Sequence, residues 1–206
     1  MIFLCNQTKF IRMKEFIKTS NKIGAFFITI DDNIMYAYNN DFILVGANDF
    51  LPNCSIVNYT PLQILEKDAI KDIAVNYDSN ELVIETNFGK FKFTIMKNED
   101  KNDLLKKIMN LYSNNMYNYR IDTGILSKVY ELTSVMKGLN VNIENDKIVC
   151  STIDFESEIY LDTETKLEVP LNTILDFDPE VIDIYADDEH VILIGRYDSY
   201  SLFRLV

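Results

Sequence analysis

The sequence predicts an α+β fold made of two tandem copies of one unit, with antiparallel sheets forming the outside and helices on one face. Three observations lead there. At a fixed offset of 109, Pro61-Leu62 falls on Pro170-Leu171, Ile73 and Val75 fall on Ile182 and Ile184, and Leu82-Val83-Ile84 falls on Val191-Ile192-Leu193. Each half also reads in one order: strand, long helix, strands, short helix, three strands. Between the halves lies "KNEDKNDLLKKIMNLYSNN" at 97–115, polar at both ends as a connector is. The division is 1–97, connector 98–115, and 116–206.

In the first half, "MIFLCN" reads as a short strand and 9–22 has helical period. "GAFFITIDD", "NIMYAYN" and "DFILVGAN" read as strands because β-branched and aromatic residues cluster between turn formers. Thr60 suits an N-cap and Pro61 the first helical position, predicting a short helix over 61–68. "DIAVNYDSNELVIETNFGKFKFTIM" then reads as a three-stranded meander turning at "DSN" and "NFGK".

The second half begins with "MYNYRID", a strand, after which Asp122 or Thr123 can cap a helix at 124–138 that Gly138 stops. "NVNIEND", "KIVCSTID" and "SEIYLDT" are strands, and "VIDIYADDEHVILIGRYDSYSLFRLV" is the second meander.

With 48% apolar and 12% aromatic residues, the 206-residue chain has ample core material. Six glycines leave no glycine-rich phosphate loop. Cys5, Cys54 and Cys150 are far apart, lack metal-ligand spacing and suit a reducing compartment. The apolar run in "MIFLCNQTKF" is too short for a signal peptide, and no stretch is long enough to span a membrane. A cytoplasmic protein is expected. The wealth of Asn, Lys, Ile and Tyr without Trp matches an AT-rich genome such as a phage's.

No catalytic constellation is present. His190, the single histidine, sits in the acidic turn "DDEH". Asp31-Asp32 and Asp187-Asp188 fall in hairpin turns, which favour Asp for backbone reasons. No enzyme activity, metal or cofactor is expected.

The net charge of −12 hides an asymmetry. Lys9, Arg12, Lys14, Lys18 and Lys22 face one acid, Glu15, within 9–22, while residues 151–206 carry fourteen acids against Lys166, Arg196 and Arg204. On a helical wheel Phe10, Met13, Phe16 and Ile17 form the apolar stripe, and Ile11, Glu15, Lys18 and Lys22 lie opposite. The second long helix has Ile125, Val129, Leu132, Met136 and Leu139 on one stripe and Ser127, Tyr130, Ser134 and Lys137 on the other, with Lys128 on the flank. A solvated helix face is the plain reading of such charges. The alternative is that acids are kept off a surface that meets phosphates.

This duplicated unit with basic long helices resembles the DNA sliding clamps, the processivity factors of replicative polymerases. "GILSKVYELTSVMKGLNVNIENDKIV" at 124–149 resembles the opening of a clamp's second domain, and "ADDEHVILIGRYDSYSLFRLV" its closing meander. A two-domain chain looks like the trimeric type found in T4-like phages and as the proliferating cell nuclear antigen. The resemblance implies a homotrimeric ring of six domains around double-stranded DNA, served by a DNA polymerase and a clamp loader. It also implies partner peptides docking beneath the connector, and DNA contact through Lys9, Arg12, Lys14, Lys18, Lys22, Lys128 and Lys137. The short helices carry Glu66 beside Lys67 in one copy and Asp176 in the other, adding no positive charge. Two rivals remain open: an acidic interaction protein that mimics DNA or blocks a host factor, and a monomeric clamp-like processivity subunit.

Overall fold

A computed structural model describes residues 6–65, 69–96, 117–162, 167–186 and 191–206; the side chains of 6–12 and 117–118 lie outside the description. The chain divides into two compact units, 1–105 with 198–202, and 106–197 with 203–206.

The first unit opens on α1 (Asn6–Lys22), which starts three residues ahead of the expected helix and takes in Asn6 of the expected first strand. Residues 1–5, the rest of that strand, lie outside the described residues. Strands β1 (Phe27–Asp31), β2 (Ile34–Tyr38) and β3 (Phe42–Ala47) follow as an antiparallel meander. Its first turn closes at Asp31↔Ile34 with Asp32 at φ 52, a left-handed conformation that Asp tolerates. The pattern did not reveal β4 (Cys54–Val57), four residues long, which pairs with the other edge of β1. After a 3-10 turn, Thr60–Ile64, come β5 (Ile70–Asn76), β6 (Glu81–Thr86) and β7 (Lys90–Met96). The strand order is β5-β6-β7-β4-β1-β2-β3, joined in the middle by Ser55↔Met96 and Ile56↔Ile95. Met13, Phe16 and Ile17 of α1 are buried in a core with Ile28, Ile30, Leu44 and Ile56.

Thr60 does not cap the short helix. The residue ahead of it, Tyr59, already has helical angles and no side-chain cap, and Thr60 Oγ1 donates instead to Asn21 Oδ1 at 2.9 Å. Residues 66–68, including Glu66 and Lys67, lie outside the described residues.

The second unit runs β8 (Tyr117–Ile121), α2 (Thr123–Val135), β9 (Asn140–Glu144), β10 (Lys147–Ser151), β11 (Glu156–Tyr160), β12 (Glu168–Pro170) and α3 (Asn172–Leu175). It closes with β13 (Val181–Ala186), β14 (Val191–Arg196) and β15 (Tyr200–Leu205), the last counted with the first unit as far as Leu202. Its strands form the orders β11-β10-β9-β12 and β15-β14-β13-β8. The expected connector at 97–115 and the turn holding His190, Asp187 and Asp188 lie outside the described residues.

Helix α2 ends at Val135, three residues short of expectation, with Met136 already extended. Thr133 and Ser134 stand at the stop. Their hydroxyls donate back to Tyr130 O and Glu131 O, competing with the helix ladder. Gly138 takes φ +73 in the turn beyond.

The repeat is real at the level of elements, but not at an offset of 109. The turn Glu144↔Lys147 reproduces Asp31↔Ile34 at an offset of 113, and Asn145, at φ 59, takes the place of Asp32. The hairpins Asn76↔Glu81 and Ala186↔Val191 correspond at 110. A one-residue error in a strand exchanges its faces, so matching Ile73 with Ile182 crosses them. Pro61 and Pro170 do not correspond either: one opens the 3-10 turn, the other ends β12.

Candidate nucleic-acid interface

The row of lysines on α1 is a consequence of helix geometry. Lys14, Lys18 and Lys22 recur at every fourth residue, about 6 Å apart along the axis, and all three are exposed. Met13, Phe16, Ile17 and Ser20 point the other way and are buried. Glu15 lies beside the row, 3.6 Å from Lys18; both side chains are more than half exposed, so water and salt screen the pair and it does little to cancel the row. The expected stripe therefore stands for the described residues, while the side chains of Lys9, Arg12 and Phe10 lie outside them.

The C-terminal half of α1 is firmly held. Ala25 N donates to Ser20 O and Gly24 N to Asn21 O, a Schellman cap made possible by Gly24 at φ +70. Around it, Asn39 Nδ2 donates to Ile23 O at 2.5 Å and Tyr59 OH to Ala25 O at 3.2 Å. Burial raises the Tyr59 phenol to about 12, so it stays a donor at neutral pH. On the buried side the Thr19 hydroxyl meets Tyr200 OH at 2.9 Å, and the Phe16 ring stands edge-on to Tyr200. Gly46 on β3 lets that ring seat, since a Cβ there would lie 2.8 Å from Phe16 Cδ2. None of these supports was read from sequence, although the glycine two residues beyond Lys22 was a visible stop signal.

In the second unit, Asp122 Oδ1 caps α2 by accepting from Ile125 N at 3.0 Å, which decides between the two expected candidates, Asp122 and Thr123. The faces of α2 differ from the wheel. Leu126 and Val129 are the buried pair, whereas Ile125 and Leu132 are only partly covered. Tyr130, expected outward, is half-buried and donates to Pro179 O at 3.0 Å; burial, then Asp178, pushes its phenol well above the usual range. The exposed side holds Ser127, Lys128, Glu131, Ser134 and Val135, so a carboxylate, absent from the expected outward stripe, stands on it. Lys137 is exposed in the turn beyond the helix. Asn172 ties the turn and strand that follow α2 to α3, donating to Leu139 O at 2.8 Å and accepting from Val141 N.

Sequence reading missed the main polar cluster of the second unit. Asp183 on β13 is 1% exposed and accepts from Arg120 Nε at 2.6 Å and Nη2 at 3.1 Å, and from Arg196 Nε at 2.9 Å. Burial alone would raise its carboxyl, but the two guanidinium groups outweigh that and hold it below the usual range. The cluster braces β8, β13 and β14. Among the described residues no group of three His, Cys, Asp or Glu side chains is placed to hold a metal, and no helix is long and apolar enough to cross a membrane.

Neither a protein-family model nor a curated protein matches the sequence. Solved structures do match. The chain aligns with the DNA polymerase III beta subunit of Thermotoga maritima at TM-score 0.58 and 13% identity, covering 96% of this chain and 63% of that one. It aligns with the DNA polymerase sliding clamp of Pseudomonas aeruginosa at 0.55 and 13%, covering 96% and 62%. With the Helicobacter pylori beta clamp bound to a DNA ligase peptide the values are 0.61 and 8%, covering 97% and 63%. The chain thus spans less than two thirds of the subunits it matches. At these identities the likeness is one of fold, and the fold of this chain is that of the DNA polymerase sliding clamps.

Proposed function

We propose that this chain is a subunit of a sliding clamp: a non-enzymatic ring that encircles duplex DNA and tethers a replicative DNA polymerase as its processivity factor. The lysine row of α1 carries this reading. In a chain of net charge −12, three exposed lysines spaced along one rigidly held helix make a surface for phosphates. Such contacts carry no sequence information and weaken steeply with salt. Those properties suit a protein that must stay on DNA yet slide.

In this reading 1–97 and 116–206 are the two clamp domains, 98–115 is the connector, and the division between the compact units falls within that connector. DNA meets Lys9, Arg12, Lys14, Lys18 and Lys22 in one domain and Lys128 and Lys137 in the other. With two such domains in each chain, a ring of six domains takes three copies. The ligase peptide on the Helicobacter pylori clamp supports a similar receipt of polymerase and clamp-loader peptides here.

The deciding experiment is retention on DNA. A closed ring stays on circular DNA and is lost when that DNA is linearised, and light scattering gives three chains. Equal loss from both forms by a strict monomer rules out the ring and favours a clamp-like subunit holding DNA on one face. No retention under any salt condition returns the chain to the acidic interaction reading.

A further inference from the structure

We infer that the cavity between the end of α2 and α3 is a docking pocket for one basic side chain, arginine or lysine, carried on a peptide segment of a partner protein. The inference goes beyond the clamp reading and does not rest on it.

The cavity lies wholly within the second unit and has a volume of about 440 Å³. That is within the roughly 300–1,000 Å³ of pockets that hold small ligands. Part of its wall is apolar: Met136, Leu139, Val141 and Leu175 line it, the last three buried. The wall is firmly held. Asn172 joins Leu139 O and Val141 N to α3, and Tyr130, also in the lining, is tied through its hydroxyl to Pro179 O. The charged residues of the lining, Lys137, Asp176 and Asp178, are exposed, so the cavity opens to water at its charged rim. An open rim suits a side chain reaching in from another molecule better than a free ligand that must be enclosed.

Charge selects that side chain. Two carboxylates stand against one ammonium in the lining. Asp178 is near enough to the Tyr130 phenol to add to what burial does in keeping it protonated, so its negative charge is felt along the wall. Thr133 and Met136 bring the C-terminal end of α2 to the cavity, the negative end of the helix dipole, and the last turn of α2 holds no basic residue. A phosphate or carboxylate would meet net repulsion. A purely apolar side chain would use the wall and leave the charge unused. An arginine or lysine uses both, laying its methylenes on the apolar wall and its cationic head at the rim.

The test is a titration of protein labelled at the methionine methyl groups, followed by NMR. The Met136 signal is identified by its loss in Met136→Leu. The probes are the peptides acetyl-Ala-Leu-X-Leu-Ala-amide, with X arginine, norleucine or glutamate, and acetyl-arginine amide. The arginine peptide is expected to shift Met136 saturably, with Kd on the order of 1 mM at low salt, and to leave Met35 of the first unit unmoved. Norleucine and glutamate peptides are expected to bind at least about fivefold more weakly, and acetyl-arginine amide at least about threefold. Asp178→Asn should weaken the arginine peptide about threefold, Asp176→Asn with Asp178→Asn about tenfold, and Lys137→Gln should strengthen it about twofold, with circular dichroism unchanged. No saturable shift of Met136, equal binding of the norleucine peptide, or full affinity in the double Asp variant each overturns the pocket. Equal affinity for acetyl-arginine amide overturns the peptide and leaves a site for a small cation. Failure of the chain to stay on circular DNA sinks the clamp reading without moving any of these signals.

Discussion

The two units share an order of elements and differ in how those elements are joined. In both, a long helix is followed by a four-stranded set of the same order: β4-β1-β2-β3 in the first and β12-β9-β10-β11 in the second. In the first, β4 also bonds to β7, merging that set with the meander. In the second, β12 ends its own sheet and the meander pairs with β8 instead. The meander strand β13 is correspondingly buried over most of its length, with a carboxylate held between two arginines. Its counterpart β5 is largely exposed. The helices differ in the same spirit. Helix α1 shows solvent a row of lysines, and α2 shows serines, one lysine, one glutamate and an exposed valine. A duplicated unit keeps its element order because each copy must bury the same faces. Its charged surface and its sheet joins are free to diverge once the core is satisfied.

The comparison can be broken most forcefully in the second unit. Replacing Arg120 and Arg196 together by Met leaves Asp183 buried without a counter-charge and is expected to destabilise the protein by about 3–5 kcal/mol, read from urea unfolding. The smaller loss belongs to Asp183→Asn, which leaves both guanidinium groups able to reach water. The pH dependence has a definite sign. The folded carboxyl lies below its unfolded value, so the stabilisation is complete above an unfolded Asp pKa of about 3.9 and is lost as pH falls through the lower folded pKa. A steeper acid unfolding in wild type than in Asp183→Asn is the expected record, and identical acid limbs contradict it.

In the first unit the equivalent weak point is packing. Gly46→Ala forces the Phe16 ring off its seat and is expected to cost about 1–3 kcal/mol. Because it moves the helix bearing the lysines, it should also disturb DNA association, which the Asp183 variants should not.

The helices are separated by charge reversal. Lys18→Glu with Lys22→Glu is expected to weaken duplex binding about tenfold or more and to lower the slope of log K against log salt by about 2, with circular dichroism unchanged. Reversal of Lys128 alone should do less, since Glu131 already shares its face. Equal effects from the two helices would show that the row on α1 is not special. The smallest effect expected is that of Asp122→Ala, about 1 kcal/mol, through loss of the α2 cap.

Much of this was readable from residue order. Strand positions followed from alternation and turn residues, the outward lysines from the helical period, and the cap of α2 as one of two neighbours, Asp122 or Thr123, at the helix start. The failures have physical causes. The offset of 109 came from matching Pro-Leu pairs, which recur in unlike settings. Strand β4 was missed because four residues show too little period. Tyr130 was assigned outward because the wheel treats a helix as alone, although Pro179 waits on its other side.

What the sequence determined by itself is local: which segments are helix or strand, where they turn, and that one helix concentrates positive charge in an acidic chain. Those properties depend on neighbours within a turn or two of backbone. Tertiary structure alone decided that β4 meets β7, that Gly46 must be small, and that Asp183 is shared by arginines 63 and 13 residues away. Each of these joins residues distant in the chain, and only the closing of a core selects one such pairing from the many that local preferences allow.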